Sequence, residues 1–131
     1  MASLGPSPRP NTVRIGSLKL LQWNARGIRN RAEFFQHIYT NSYDIVCIQE
    51  SLLHPSRDFK IKGYEVIRCD REVFKKASGG VLTLIRKGLV YTNITYNSKL
   101  EYLAVKIKLA GKHLQVVNIY ILPRTKNFVQ N

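Results

Sequence analysis

Short apolar runs separated by polar punctuation set the plan of this chain. Leu18-Lys19-Leu20-Leu21-Gln22-Trp23 predicts a strand that ends in the polar loop Asn24-Ala25-Arg26-Gly27. Phe34, Phe35, Ile38 and Tyr39 recur at helical spacing and predict one short amphipathic helix, about 31–40. Asp44 then precedes Ile45-Val46-Cys47-Ile48, an unbroken apolar run of the kind found in strands buried on both faces. Strand, helix and strand in that order predict a βαβ-type start with a parallel pair.

The remainder is strand-rich. Gly63 opens Tyr64-Glu65-Val66-Ile67-Arg68, Ser78-Gly79-Gly80 opens Val81-Leu82-Thr83-Leu84-Ile85, and Leu89 to Thr95 forms another candidate. Leu103, Val105, Ile107 and Leu109 alternate with Ala104, Lys106 and Lys108, the period of a half-solvated strand. Ala110-Gly111-Lys112 is a turn, and His113 to Tyr120 returns as the partner strand before Pro123 stops it. Residues 1–17 hold three Pro, three Ser and two Gly and predict a disordered basic tail ahead of a domain over 18–131.

Composition narrows the class. At 44% hydrophobic residues, the chain is too apolar for a disordered polybasic peptide, so a packed core is expected. No run approaches the ~18 apolar residues that span a bilayer, and residues 1–17 have no signal-like apolar stretch, so no membrane partner is expected. Two cysteines, Cys47 and Cys69, are too few for a disulfide framework, and Cys47 reads as a small buried hydrophobe. A reducing compartment, nuclear or cytoplasmic, is the expectation. The His residues at 37, 54 and 113 show no zinc spacing. Gly79-Gly80 is not a phosphate-binding loop, since no Lys-Ser/Thr follows at the required spacing, and reads as a hairpin turn with φ > 0. The 21 Lys and Arg against 8 Asp and Glu give a net charge of +13, which points to an anionic polymer as partner.

Metal-assisted phosphodiester cleavage needs oxygen ligands for a hard cation and donors for the phosphoryl group. Open α/β sheets place such groups just past the C-terminal ends of parallel strands. Asn24 and Gln49-Glu50 both fit that placement. If their strands are neighbours, an amide and a carboxylate sit side by side and can hold Mg²⁺, which takes one or two carboxylates and keeps several waters.

Four strings then resemble one family. Leu20 to Gly27 resembles the first motif of the endonuclease/exonuclease/phosphatase superfamily, and Asp44-Ile45-Val46-Cys47-Ile48-Gln49-Glu50 its second. Ser78-Gly79-Gly80-Val81 looks like its glycine-opened hairpin, and Val117-Asn118-Ile119-Tyr120-Ile121-Leu122-Pro123 like its later Tyr-x-x-Pro strand. Their order and spacing, over about residues 18–123, look most like the apurinic-type endonuclease domain of non-LTR retrotransposons. The resemblance implies an α/β fold, the N-terminal portion of a four-layer sandwich with mixed, mainly antiparallel sheets. It implies Glu50 as carboxylate ligand of Mg²⁺ or Mn²⁺, Asn24 assisting at that metal, and Tyr120 aimed at the scissile phosphate. It places Glu101 behind them as a supporting polar residue. Relatives that carry an acid two positions after the first Asn differ here, where Arg26 stands.

The superfamily's Asp-x-Asn and Ser-Asp-His motifs have no match: no Asp follows Asp70, and His113 has no acidic neighbour in sequence. The resemblance therefore implies a truncated domain with little or no nuclease activity of its own, since general-base catalysis alone is worth roughly 10²–10⁴-fold. It also implies that these residues supply mainly one sheet. The exposed face would then call for a C-terminal half of the domain or for self-association. The competing reading is a non-catalytic, basic nucleic-acid-binding fragment; a phosphoinositide or other phosphoester substrate fits the charge less well.

The expected partner is DNA, with RNA as a second nucleic acid. Residues 1–32 and 102–131 carry six and five basic residues and no acid. Arg26, Arg29, Lys75 and Lys76 are the cations expected on phosphates. DNA affinity is expected to fall steeply between low and moderate salt in a gel-shift titration; binding indifferent to salt would contradict this reading of the charge.

Overall fold

The computed structural model describes residues 10–28, 32–95 and 100–121. In chain order the elements are β1 (Asn11–Ile15), β2 (Leu18–Asn24), α1 (Ala32–Asn41), β3 (Ile45–Gln49) and β4 (Tyr64–Cys69). There follow β5 (Glu72–Val73), β6 (Lys76–Ala77), β7 (Val81–Arg86), β8 (Tyr91–Ile94), β9 (Glu101–Leu109) and β10 (Lys112–Tyr120). One sheet has the order β1-β2-β3-β7-β4, a second β10-β9-β8, and β5 and β6 form a small hairpin. Among the described pairs β2 with β3 is parallel and the rest are antiparallel, the mixed α/β arrangement expected. No helix among the described residues is long and apolar enough to cross a membrane.

Side-chain parity divides the central strands between two cores. Leu21 and Trp23 of β2, Val46 and Ile48 of β3, and Leu82 and Leu84 of β7 face α1, where Phe34 and Ile38 complete one cluster. Leu18 and Leu20, Ile45 and Cys47, and Ile85 face the second sheet, where Val105 and Ile107 complete the other. All five residues of β3 are buried as a result, which is why its sequence shows no polar alternation. At the start of β3, Asp44 accepts from the Lys19 backbone N at 2.8 Å and from Arg86 Nε at 2.7 Å, pinning β2 and β7 to it.

Two expectations are corrected. The segment 1–17 is not all disordered tail: Asn11–Ile15 forms β1 and pairs antiparallel with β2 in the register Val13↔Leu20. All five of its residues are exposed, so no apolar pattern announced an edge strand held by backbone hydrogen bonds. Nor do these residues supply mainly one sheet. The β10-β9-β8 sheet covers the inner face of the first, and the 9-residue strands β9 and β10 pair along their whole length. The apolar face that seemed bare is buried by the inward set Val105 and Ile107.

Among the described residues, a buried polar tie joins the two sheets. Asn118 on β10, 1% exposed, donates through Nδ2 to the carbonyls of Ile48 at 3.2 Å and Leu82 at 2.9 Å and to Thr83 Oγ1 at 3.1 Å. Its Oδ1 accepts from Gln49 Nε2 at 2.7 Å, and Gln49 Oε1 accepts in turn from Gln22 Nε2. Asn118→Ala would strand several buried polar groups and is expected to destabilise the fold by about 2–4 kcal/mol, read as a lower urea midpoint.

Burial pushes the Cys47 thiol up from 9.0 to about 12, partly offset by a hydrogen bond with Thr83. The folded state then keeps a proton that the unfolded state releases above pH 9. The contribution of Cys47 to stability is therefore complete below pH 9 and is lost as pH rises toward 12. In a thiol titration of native protein at pH 8, the part-exposed Cys69 is expected to react and Cys47 to stay silent until denaturant is added.

Candidate metal and phosphodiester site

The parallel register pairs Asn24 with Gln49, so Asn24 closes β2 one residue short of Glu50 on the next strand. The ladder continues beyond both strands: Ala25 N donates to Gln49 O at 3.1 Å, Gly27 N to Glu50 O at 2.7 Å and Ile28 N to Ser51 O at 3.2 Å. On the other side Ser51 N donates to Gly80 O at 3.2 Å and Leu52 N to Gly79 O at 2.9 Å. Residues 50–52 are thus zipped on both flanks, which holds Glu50 at φ 53 and Leu52 at φ 52, a conformation unfavourable for residues other than glycine.

Tyr120, at the end of β10, brings its phenol close to the Glu50 carboxylate. The phenol is raised above its ordinary value of 10.0, first by burial, then by the charge and hydrogen bond of Glu50 and the charge of Glu101, with Arg71 opposing. Glu101 is the register partner of Tyr120. Its Oε1 accepts from Gly80 N at 2.6 Å and its Oε2 from Arg71 Nη1 at 2.8 Å, while Arg71 Nη2 donates to Ser78 Oγ at 2.9 Å. Three strand ends and the Gly79-Gly80 loop therefore converge on a single rim. Asn24, Gln49 and Tyr120 also line an open groove of about 510 Å³ whose other walls include Val13, Leu20 and Ile119.

Asn24 Oδ1 is buried without a hydrogen-bond partner. An amide oxygen in that state beside a half-buried carboxylate is a donor set suited to a hard cation. No group of three or more His, Cys, Asp and Glu gathers among the described residues.

Of the cations expected on phosphates, Arg26 is exposed in the loop after β2, and Lys75 and Lys76 are exposed on the β5–β6 hairpin. Arg29 lies outside the described residues. Sequence reasoning missed Arg71 and Asn118 as parts of the rim. Asn118 left a signal: it shares inward parity with Val116 and Tyr120, where a polar residue calls for a partner. Arg71 left none, because its partners Ser78 and Glu101 are brought to it only by folding.

Gly79 and Gly80 do more than turn the chain. At Gly80 (φ +92) a Cβ would lie 2.7 Å from Ser51 Oγ, and at Gly79 (φ +56) 2.9 Å from Glu101 Oε1. Gly63, at a similar φ of +89, meets nothing within 4 Å. Gly80→Ala is accordingly expected to cost about 1–3 kcal/mol more than Gly63→Ala in matched urea titrations, the excess being steric rather than conformational.

No curated protein matches the chain. The model of the endonuclease/exonuclease/phosphatase family matches residues 21–128, a span that takes in every rim residue described above. With Asn24, Glu50, Glu101 and Tyr120 gathered at one sheet edge inside that match, the chain belongs to the endonuclease/exonuclease/phosphatase family.

Proposed function

We propose that this chain carries the Asn24–Glu50–Tyr120 part of a metal-dependent DNA endonuclease, of the kind that nicks target DNA for non-LTR retrotransposition. One observation carries the reading: the buried, unpartnered Asn24 Oδ1 at the strand end next to Glu50, with the Tyr120 phenol close to that carboxylate. Asn24 and Glu50 would hold Mg²⁺ or Mn²⁺, which when bound neutralises phosphodiester charge and makes water a better nucleophile. The Tyr120 phenol, close to Glu50, carries its proton at neutral pH as phenols do and would donate it in a hydrogen bond to a phosphate oxygen. Glu101, fixed by Arg71 and Gly80 N, supports Tyr120 from behind. Its neighbours make it a positioning residue.

Strong hydrolysis by these 131 residues alone is not expected. No Asp follows Asp70, and no His is among the rim residues described above. His37 bonds Tyr43, His54 bonds Glu72, and His113 lies seven residues from Tyr120 on β10, about 23 Å away along an extended strand. A nucleic-acid-binding role without cleavage is the second reading, favoured by the net charge of +13. A C-terminal half of the domain, or a second copy, is the partner proposed for the groove beside β10.

Two assays test the proposal. Mn²⁺ binding followed by electron paramagnetic resonance is expected to weaken at least about tenfold in Glu50→Gln and in Asn24→Ala, with the urea midpoint little changed. Unchanged Mn²⁺ affinity in both variants would remove the metal site. Plasmid nicking with Mg²⁺ is expected when the chain is joined to the C-terminal half of a family endonuclease, to be lost in Glu50→Ala, and to be absent or weak in the chain alone. DNA shifts without nicking by either form would favour the binding role.

A further inference from the structure

We infer that the β5–β6 hairpin is a nucleobase-contacting arm of the rim, with Phe74 stacking on a base and Lys75 and Lys76 on the adjoining phosphates. The inference rests on the nucleic-acid reading above and adds a grip on the substrate away from the scissile bond. Phe74 is 94% exposed at the tip of a two-residue turn, by far the barest of the large apolar side chains among the described residues. Lys75 and Lys76, next to it, are exposed as well.

The turn residues work against local stability. Phe74 has φ 52 and Lys75 φ 66, the left-handed pair that Asn-Gly ordinarily fills in so short a hairpin. A bulky aromatic in that place satisfies neither the turn nor a core. β5 and β6 have only two residues each, and a hairpin of that size is marginal in water by itself. Its order comes from its base. Ser78 N donates to Arg71 O at 2.9 Å, the Arg71 guanidinium bridges Ser78 Oγ and Glu101, and Glu72 Oε2 pairs with His54 Nε2 at 2.9 Å. The residues that anchor the arm thus include Glu101, the neighbour of Tyr120.

Reach and chemistry agree with a base as the target. Phe74 precedes Gly79 by five residues, at most about 16 Å of extended chain, or roughly four to five base steps of 3.4 Å. A ring followed in the chain by two exposed ammonium groups offers both a stacking surface and cations for phosphates, and every base offers a π face, so stacking would be tolerant of sequence. Tip insertion of an apolar side chain between base steps is open to the same ring.

Fluorescence anisotropy of a labelled DNA duplex, titrated with the whole chain over a range of salt, tests the inference. Phe74→Ala is expected to weaken binding about tenfold with an unchanged salt slope. Lys75→Ala is expected to lower the salt slope by about one. Phe74→Trp is expected to keep the affinity and to lose Trp emission on adding DNA, over the steady background of Trp23, which is only 3% exposed. Wild-type affinity and salt slope in Phe74→Ala, with no quenching in Phe74→Trp, would overturn the arm and leave the nucleic-acid reading standing. Failure of the wild-type chain to bind DNA at low salt would overturn both. Unchanged DNA affinity in Phe74→Ala with loss of a sedimenting oligomer would overturn it too, making Phe74 a contact between copies.

Discussion

Everything at the rim depends on a strand that has no face toward water. β3 is buried on both sides because each of its parities meets a different core, α1 on one side and the β10-β9-β8 sheet on the other. A strand so enclosed cannot slip by one residue without exchanging two complete apolar sets. Its register against β2 and β7 is therefore fixed, and with it the place where the chain leaves the sheet at Glu50. The left-handed backbone at Glu50 is tolerated because hydrogen bonds to Gly27 and Gly79-Gly80 over-determine the residues around it.

The second sheet links that fixed strand to the phenol. Asn118 and Tyr120 share the inward face of β10, so the amide that locks β10 over β3 and β7 also sets the depth at which Tyr120 meets Glu50. A single polar network, from Gln22 through Gln49 to Asn118, runs beneath the rim in an otherwise apolar interior. Because its members satisfy one another, it gives the sheets one preferred alignment, where apolar packing alone would leave several of similar energy. Glu101 extends this ordering outward: it binds the Gly80 backbone and Arg71, and thereby couples Tyr120 to the β5–β6 hairpin.

Charge has a different part. The excess of Lys and Arg does not shape the core, and several basic groups are occupied structurally, Arg86 with Asp44, Arg68 with Asp70 and Arg71 with Glu101. The cations that remain exposed, such as Lys75 and Lys76 on the hairpin, are the ones in a position to meet an anionic polymer. Net charge thus names a class of partner, while the fold selects which charges are available to it.

Local sequence decided a good deal. The all-apolar run at 45–48, the helical spacing of Phe34 and Ile38, and the two-residue period at 103–109 each follow from burial, and each element formed close to its expected bounds. Asn24 and Glu50 could be picked out because polar residues directly after apolar strands fall at a sheet edge. Folding alone settled the rest. β1 carries no apolar face, since an edge strand is held by backbone hydrogen bonds that any side chain permits. The second sheet closes over Ile45 and Cys47 through pairings across some sixty residues, and such contacts leave no trace in local periodicity. Gly79 and Gly80 read as a turn, yet their bare Cα atoms are needed because Ser51 and Glu101 approach from elsewhere in the chain. Arg71, Glu101 and Tyr120 lie far apart along the sequence. Only strand register, which is a property of the whole assembly of backbone donors and acceptors, brings their side chains to one rim.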